Sequence, residues 1–351
     1  APHLRAQPTN PLFRPISIQN GLSQVTIQAI QQDHKGYMWF GTRYGLNKYD
    51  GYEFITYHHN PIDSTSIDDN SIHSLFEDSK QRLWIGTNHS LNYFNRDLST
   101  FEHVIPDHPT LNNSEMGAIK RITEDEKVNL WLARTNMLQV FNPETKSVES
   151  FLPRDTQGNY LGEIGDLLLD RKGRLWIGCV AGIRLFDPES QQFSNPLDHY
   201  SPPKVDNVEF AVRLLEDRLG NLWIGVRGTG LMKYEHHVQQ WKQYRHINES
   251  ENTLCSDFIN DIIEDNENNI WIASGRGGLN HFNPTTELFT HYSKHNSGQA
   301  KINSNAHNTL YQDNTGGIWV GTWHNGLNYL RENNPFLHYH KNTRSLSLSS
   351  N

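Results

Sequence analysis

The sequence predicts an all-β chain folded as a seven-bladed β-propeller of four-stranded antiparallel blades, and three observations predict it. Seven tryptophans, Trp39, Trp84, Trp131, Trp176, Trp223, Trp271 and Trp319, recur at intervals of 45 to 48 residues, the mark of a repeat protein. An aspartate stands six positions before each of them: Asp33, Asp78, Asp125, Asp170, Asp217, Asp265 and Asp313. A small residue follows each by two positions: Gly41, Gly86, Ala133, Gly178, Gly225, Ala273 and Gly321.

Each unit divides into short pieces rich in Ile, Leu, Val and aromatics and bounded by Gly, Asn or Asp, the signature of antiparallel strands. In the second unit strand a is the stretch Ser71–Asp78, strand b Arg82–Thr87 and strand c Ser90–Asn95, and strand d starts at Phe101. The a-to-b turn opens on the repeated Asp, whose carboxylate can accept hydrogen bonds from the turn's own amides. Three residues on stand Gly36, Gln81, Val128, Gly173, Gly220, Asn268 and Gly316, at a place where the turn calls for a left-handed residue. A four-stranded sheet of this length has two apolar faces and cannot cover both alone. A ring of such sheets covers them face to face, whereas a two-sheet sandwich accommodates seven equal units poorly. The repeated Trp is then the filler between blades, with the small residue on the same strand face leaving room for a neighbour.

Residues 1–351 therefore read as one propeller domain. Outer strands begin at Phe54, Phe101, Phe151, Phe193, Trp241, Phe289 and Phe336, and the segment 12–17 around Phe13 has the same look. That makes eight outer strands for seven inner sets. The Phe13 segment is expected to close the ring in the last blade, with the Phe336 segment leading outward or competing for that place. Ser345–Asn351 echoes Ser64–Asn70, the lead-in to the second unit, and residues 341–351 are expected to begin a further repeat or a linker. The chain thus reads as the first propeller of a longer protein.

A formal net charge of −8 with dispersed Lys and Arg argues against nucleic acid, which needs a basic face. No apolar run reaches the roughly 18 residues of a membrane span. The two cysteines, Cys179 and Cys255, sit in no CxxC or zinc spacing. The 19 histidines include the pairs His58–His59, His236–His237 and His338/His340. Two imidazoles without a carboxylate make a poor metal site, so they read as solvated strand edges. No metal and no cofactor is expected.

The repeated phrase I-x-x-I-x-E/D-D-x-x-G-x-L-W-I-G-T-x-x-G-L-N-x-Y/F-D/N is carried by Ile27–Asp50, Ile72–Asn95, Asp166–Asp187 and the other units. It resembles the two-component regulator propeller repeat over almost the whole chain. Ile122–Asn142 departs from it, lacking both the turn Gly and the corner Gly. The resemblance implies the periplasmic sensor portion of a bacterial inner-membrane receptor. There an immunoglobulin-like segment, a membrane helix and a cytoplasmic histidine kinase or diguanylate cyclase would follow. It further implies a small-molecule or oligosaccharide ligand, contacts with the receptor's downstream domains, a homodimer, and no catalysis by this chain.

In this strand order the b-to-c and d-to-a loops emerge on one face of the ring. The b-to-c corners vary from unit to unit while the a-to-b turns repeat one formula, so the corners are free to carry binding groups. They present Arg43, Tyr44, His89, Arg227, Arg276, Trp323 and His324 as ligand-binding candidates. Arg suits carboxylate or sulfate and the aromatics suit the face of a sugar ring. Taken singly, exposed Arg and His also simply solvate corners, and Trp323 could pack on a neighbouring blade. Two other readings stay open: a polysaccharide-processing enzyme, and a scaffold docking protein on the same corners. Against the enzyme, the recurring acids (Glu77, Asp78, Glu216, Asp217, Glu264, Asp265) belong to the turn formula. Glu53, Glu163, Asp166 and Glu209 depart from it without pairing.

Overall fold

A computed structural model describes residues 13–104, 113–196, 212–250, 252–295 and 301–331. They form seven four-stranded antiparallel sheets, the seven-bladed propeller that the repeat predicts. Helical structure is sparse, with a 3-10 turn at Ile18–Asn20 and a short helix at Asn113–Met116. The first six sheets each run a, b, c, d in chain order. The seventh takes its outer strand from Phe13–Ile16, which pairs antiparallel with Leu327–Leu330, Phe13 opposite Leu330 and Ile16 opposite Leu327. Phe336, the His338/His340 pair, the tail 341–351 and Glu209 lie outside the described residues.

The first strands are Ile27–Gln32, Ile72–Glu77, Ile119–Glu124, Ile164–Leu169, Val212–Glu216, Ile259–Glu264 and His307–Gln312. Each touches the first strand of the next blade, and the last touches the first, so strand a lines the axis all the way round.

The six-residue interval has a specific cause. In every blade the Asp Oδ2 accepts the indole N–H of the repeated Trp, at 2.7–3.0 Å. The other carboxylate oxygen caps the turn: Asp78 Oδ1 accepts from Lys80 N at 3.0 Å and Arg82 N at 2.8 Å. One side chain thus satisfies the turn and the polar end of a buried indole, which would otherwise lose a hydrogen bond on burial. The Glu before the Asp has a different duty, because it caps the turn of the preceding blade. Glu77 accepts from His34 N (2.6 Å), Glu124 from Ser79 N (2.7 Å), Glu216 from Arg171 N (2.8 Å) and Glu264 from Arg218 N (2.9 Å). Gln32 does the same for Asn314 across the ring closure.

The core is divided into seven interblade wedges. Trp39 of blade 1 packs with Ile72, Leu83, Ile85 and Phe94 of blade 2. Trp223 of blade 5 packs with Ile259, Ile270, Ile272 and Phe282 of blade 6, and Trp319 of blade 7 packs with Ile27 and Phe40 of blade 1. Burying each indole removes area worth about 4–6 kcal/mol of transfer free energy. The small residue two positions on is required by the same closeness: a Cβ on Gly86 would lie 2.8 Å from the Ile119 carbonyl oxygen of the next blade.

All seven turn residues have positive φ, including Gln81, Asn268 and Val128 (φ 65°). Blade 3, whose repeat is the least regular, therefore forms with a β-branched residue in a conformation such residues resist. Val128→Gly is expected to stabilise the protein by about 1 kcal/mol, the relief of strain outweighing glycine's greater unfolded entropy. Thermal unfolding would show a raised midpoint for Val128→Gly that Val128→Ala does not reproduce.

Candidate functional site

The axial strands carry a repeated irregularity that builds the site. In six of the seven blades strand a has a register shift after its first residue, for example between Ile27 and Ala29 and between Ile72 and Ser74. The extra residue is left out of the ladder, as in a β-bulge, which re-aims its side chain. Those residues are Gln28, His73, Lys120, Gly165, Asn260 and Asn308, and all but Asn260 line a funnel at one end of the axis.

The funnel has a cavity of about 390 Å³. Arg43, Arg227 and Trp323 enter it from the b-to-c corners, Lys120 and Arg213 from the axial strands, and Glu163 is the one acid among its described lining residues. The Arg43 guanidinium lies 5.3 Å from the Trp323 ring centroid, over its face. Arg227 Nη2 donates to Asn260 Oδ1 at 2.9 Å. Burial lowers the Lys120 pKa; Glu163 opposes that, and Arg213 and Arg227 reinforce it. Burial and Arg213 likewise lower the Arg227 pKa. Burial and the neighbouring arginines both disfavour the charged forms of Lys120 and Arg227, so a negative group in the funnel would stabilise them. His73 sits at the neck, with Gln28 Nε2 3.0 Å from its Nδ1 and Asn88 Oδ1 2.8 Å from its Nε2. Burial holds its pKa down.

Below the funnel the charges are committed to the frame. Arg121 Nε donates to Asp166 Oδ1 at 2.7 Å, while Asp166 Oδ2 accepts Leu214 N at 2.9 Å. Asp261 Oδ2 accepts Leu310 N at 2.8 Å and lies within ion-pair reach of Arg121 and Arg213. Asp166 and Asp261 therefore bridge blades, and the nearby carboxylate pushes the Arg121 pKa further up.

The seven corner candidates divide into three groups. Arg43, Arg227 and Trp323 meet in the funnel. Arg276 and His324 line a separate groove between blades 6 and 7. Tyr44 packs against His58 with ring centroids 5.0 Å apart, and His89 Nδ1 sits 3.3 Å from Asp69 Oδ2; neither lines the funnel. Corner reasoning missed Gln28, His73, Lys120, Glu163, Arg213 and Asn308. The signal for most of them was the variable pair inside I-x-x-I, which the repeat leaves free. Among the described residues no group of three or more His, Cys, Asp or Glu is placed to hold a metal.

Fold and site together define a seven-bladed propeller with a cationic axial funnel. Residues 21–44, 66–89, 253–276 and 301–324 match the family model described as two component regulator propeller. Those four segments, in blades 1, 2, 6 and 7, are similar to two component regulator propeller repeats. It is 50% identical to histidine kinase P4 of Formosa agariphila over 64 residues, which are 18% of this chain and 5% of that protein. It is similar in fold to the extracellular domain of a hybrid two component system from B. thetaiotaomicron. That match has a TM-score of 0.74 at 21% identity over 97% of this chain and 44% of that one. It is also similar in fold to virginiamycin B lyase from Staphylococcus aureus, with a TM-score of 0.63 at 13% identity over 91% of this chain and 98% of that one. The chain thus spans less than half of the first two relatives. Among the described residues no helix is long and apolar enough to cross a membrane.

Proposed function

We propose that this propeller is the extracytoplasmic, periplasmic ligand-sensing part of a bacterial membrane receptor of the two-component type, and that its ligand is an anionic small molecule or oligosaccharide seated in the axial funnel. The observation that carries this reading is a cavity with Arg43, Lys120, Arg213 and Arg227 against Glu163, in a chain whose net charge is −8. Cations concentrated against the overall charge of a protein are arranged to meet an anion. Arg supplies a planar fork for carboxylate or sulfate, and Trp323 supplies a ring face. Occupancy would shift how the propeller packs on downstream domains or on a second copy, and so pass the signal on. The named histidine kinase relative and the extracellular domain of the hybrid system support that setting.

The lyase of similar fold keeps an enzymatic reading in view. Hydrolysis of a glycosidic bond takes a pair of carboxyl groups, whereas Glu163 stands singly among the described funnel residues. Calorimetry of the purified chain against uronic, sulfated and neutral oligosaccharides tests the proposal, with product analysis of every binder. Anionic binders without turnover are expected, with affinity falling as salt is raised. Lys120→Met should weaken binding about tenfold to a hundredfold, since a hydrogen-bonded charge pair is worth ~1.5–3 kcal/mol, with the unfolding midpoint unchanged. Turnover, or a binder indifferent to both salt and Lys120, would sink it.

A further inference from the structure

The funnel has a neighbour on the same face. Between blades 6 and 7 lies an open groove of about 460 Å³ whose described lining includes Arg276, Lys294 and His324 and no acidic side chain. All three are exposed. The Arg276 guanidinium rests 5.3 Å from the Phe258 ring centroid, an apolar support that leaves its hydrogen-bonding edge unclaimed among the described residues. The groove floor is set by close backbone packing, since a Cβ on Gly277 would lie 2.5 Å from the Cys255 carbonyl oxygen.

Two short segments of blade 7 separate groove from funnel, and each serves both. On the corner, half-buried Trp323 lines the funnel and the adjacent His324 lines the groove. On the approach to the axial strand, Ser304, Asn305 and Ala306 line the groove and Asn308 lines the funnel. The partition is held in place: Trp323 N donates to Ala306 O at 3.1 Å, Thr26 Oγ1 donates to Trp323 O at 2.7 Å, and Asn308 Nδ2 donates to Ile27 O at 2.7 Å. The two cavities are therefore separated at this partition by the thickness of these two segments. A single small anion would use one of them. A short chain with a negative group on successive residues would cross the partition at Trp323 and place one group in each.

We propose that Arg276, Lys294 and His324 form a second anion subsite, and that groove and funnel together read a linear polyanionic oligosaccharide, a polyuronate or a sulfated chain, across Trp323. This rests on the funnel being an anion site. The groove supplies selectivity for length, since the second contact is made intramolecularly once the first residue is bound.

The test uses oligogalacturonates of one to six residues, with neutral galacto-oligosaccharides as controls, by calorimetry. Wild type is expected to gain tenfold or more in affinity between the shortest oligomer it binds and the longer ones. The double variant Arg276→Ala/Lys294→Ala, at exposed positions, should keep the short-oligomer affinity and lose the gain, with an unchanged unfolding midpoint. Lys120→Met should weaken every length. A gain with length that survives the double variant overturns the groove and leaves the funnel reading standing. Longer oligomers insensitive to Lys120→Met overturn the shared site, and an absence of binding by any anionic oligomer removes both readings.

Discussion

Asp217→Asn is expected to cost about 3 kcal/mol of stability, although it changes one atom. Asp217 Oδ1 accepts from Leu219 N (3.0 Å) and Asn221 N (2.8 Å), and Oδ2 accepts from Asn221 Nδ2 (2.9 Å) and Trp223 Nε1 (2.7 Å). Four donors converge on a carboxylate that is 3% exposed, so the whole site is built for an acceptor. An amide oxygen could still cap the turn, but its NH2 would face two N–H groups. The fully buried indole of Trp223 would then be left without a partner, at a cost of ~1–3 kcal/mol beyond the lost charge-assisted bonds. Denaturant unfolding of Asp217→Asn beside Asp97→Asn, an exposed acid, measures the difference. Equal midpoints would mean that the six-residue interval has some other cause.

The second large effect is one of pH. His307 is fully buried, and its ring nitrogens make no well-formed hydrogen bond among the described residues, only weak contacts with the Gly278 and Ser304 backbone that do not offset the burial. Burial pushes its pKa down to about 4. The unfolded chain takes up this proton near pH 6.5 and the folded chain only near 4, so between those values the unfolded state binds more protons. The stability contributed by neutral His307 is whole above pH 6.5 and drains as the pH falls towards 4, by about 3 kcal/mol in all. Ile27, Ile72, Ile119, Ile164 and Ile259 occupy the same place in five other blades. His307→Ile is therefore expected to fold and to flatten the acid limb of the stability profile by that amount. Parallel profiles for the two proteins between pH 4 and 7 would show that His307 is not the titrating group.

The fold was legible because its rules are local. Asp and Trp lie in one hairpin, their interval survives in every unit, and the small residue after Trp reports a contact with the next blade. What links Asp to Trp was not legible, since an interval does not reveal a hydrogen bond. The role of Glu77 was misplaced by one blade, because the turn it caps, at His34, lies 43 residues away. The site was half legible. Corner loops advertise Arg43, Arg227 and Trp323 by departing from the repeat. Lys120 and His73 sit inside it, and strand alternation alone does not aim them at the axis; the bulge does. Tyr44 and His89 were chosen by the same corner argument as Arg43, and packing against His58 and Asp69 decided their places instead.

The wedge cores make the unit of sequence and the unit of folding different objects. A Trp-to-Trp repeat owns no complete core: Trp39 completes blade 2, Trp223 completes blade 6, and Trp319 completes blade 1 across the ring. Growth by tandem duplication suits such a design. An added repeat brings a donor indole for the next blade and a socket for the last one, leaving every old junction intact. Excision of a single blade by any boundary that follows its sheet would instead strand one indole and empty one socket. Such a chain gains or loses blades by whole periods of its sequence, while any surviving arc of blades has two raw ends until something closes the circle.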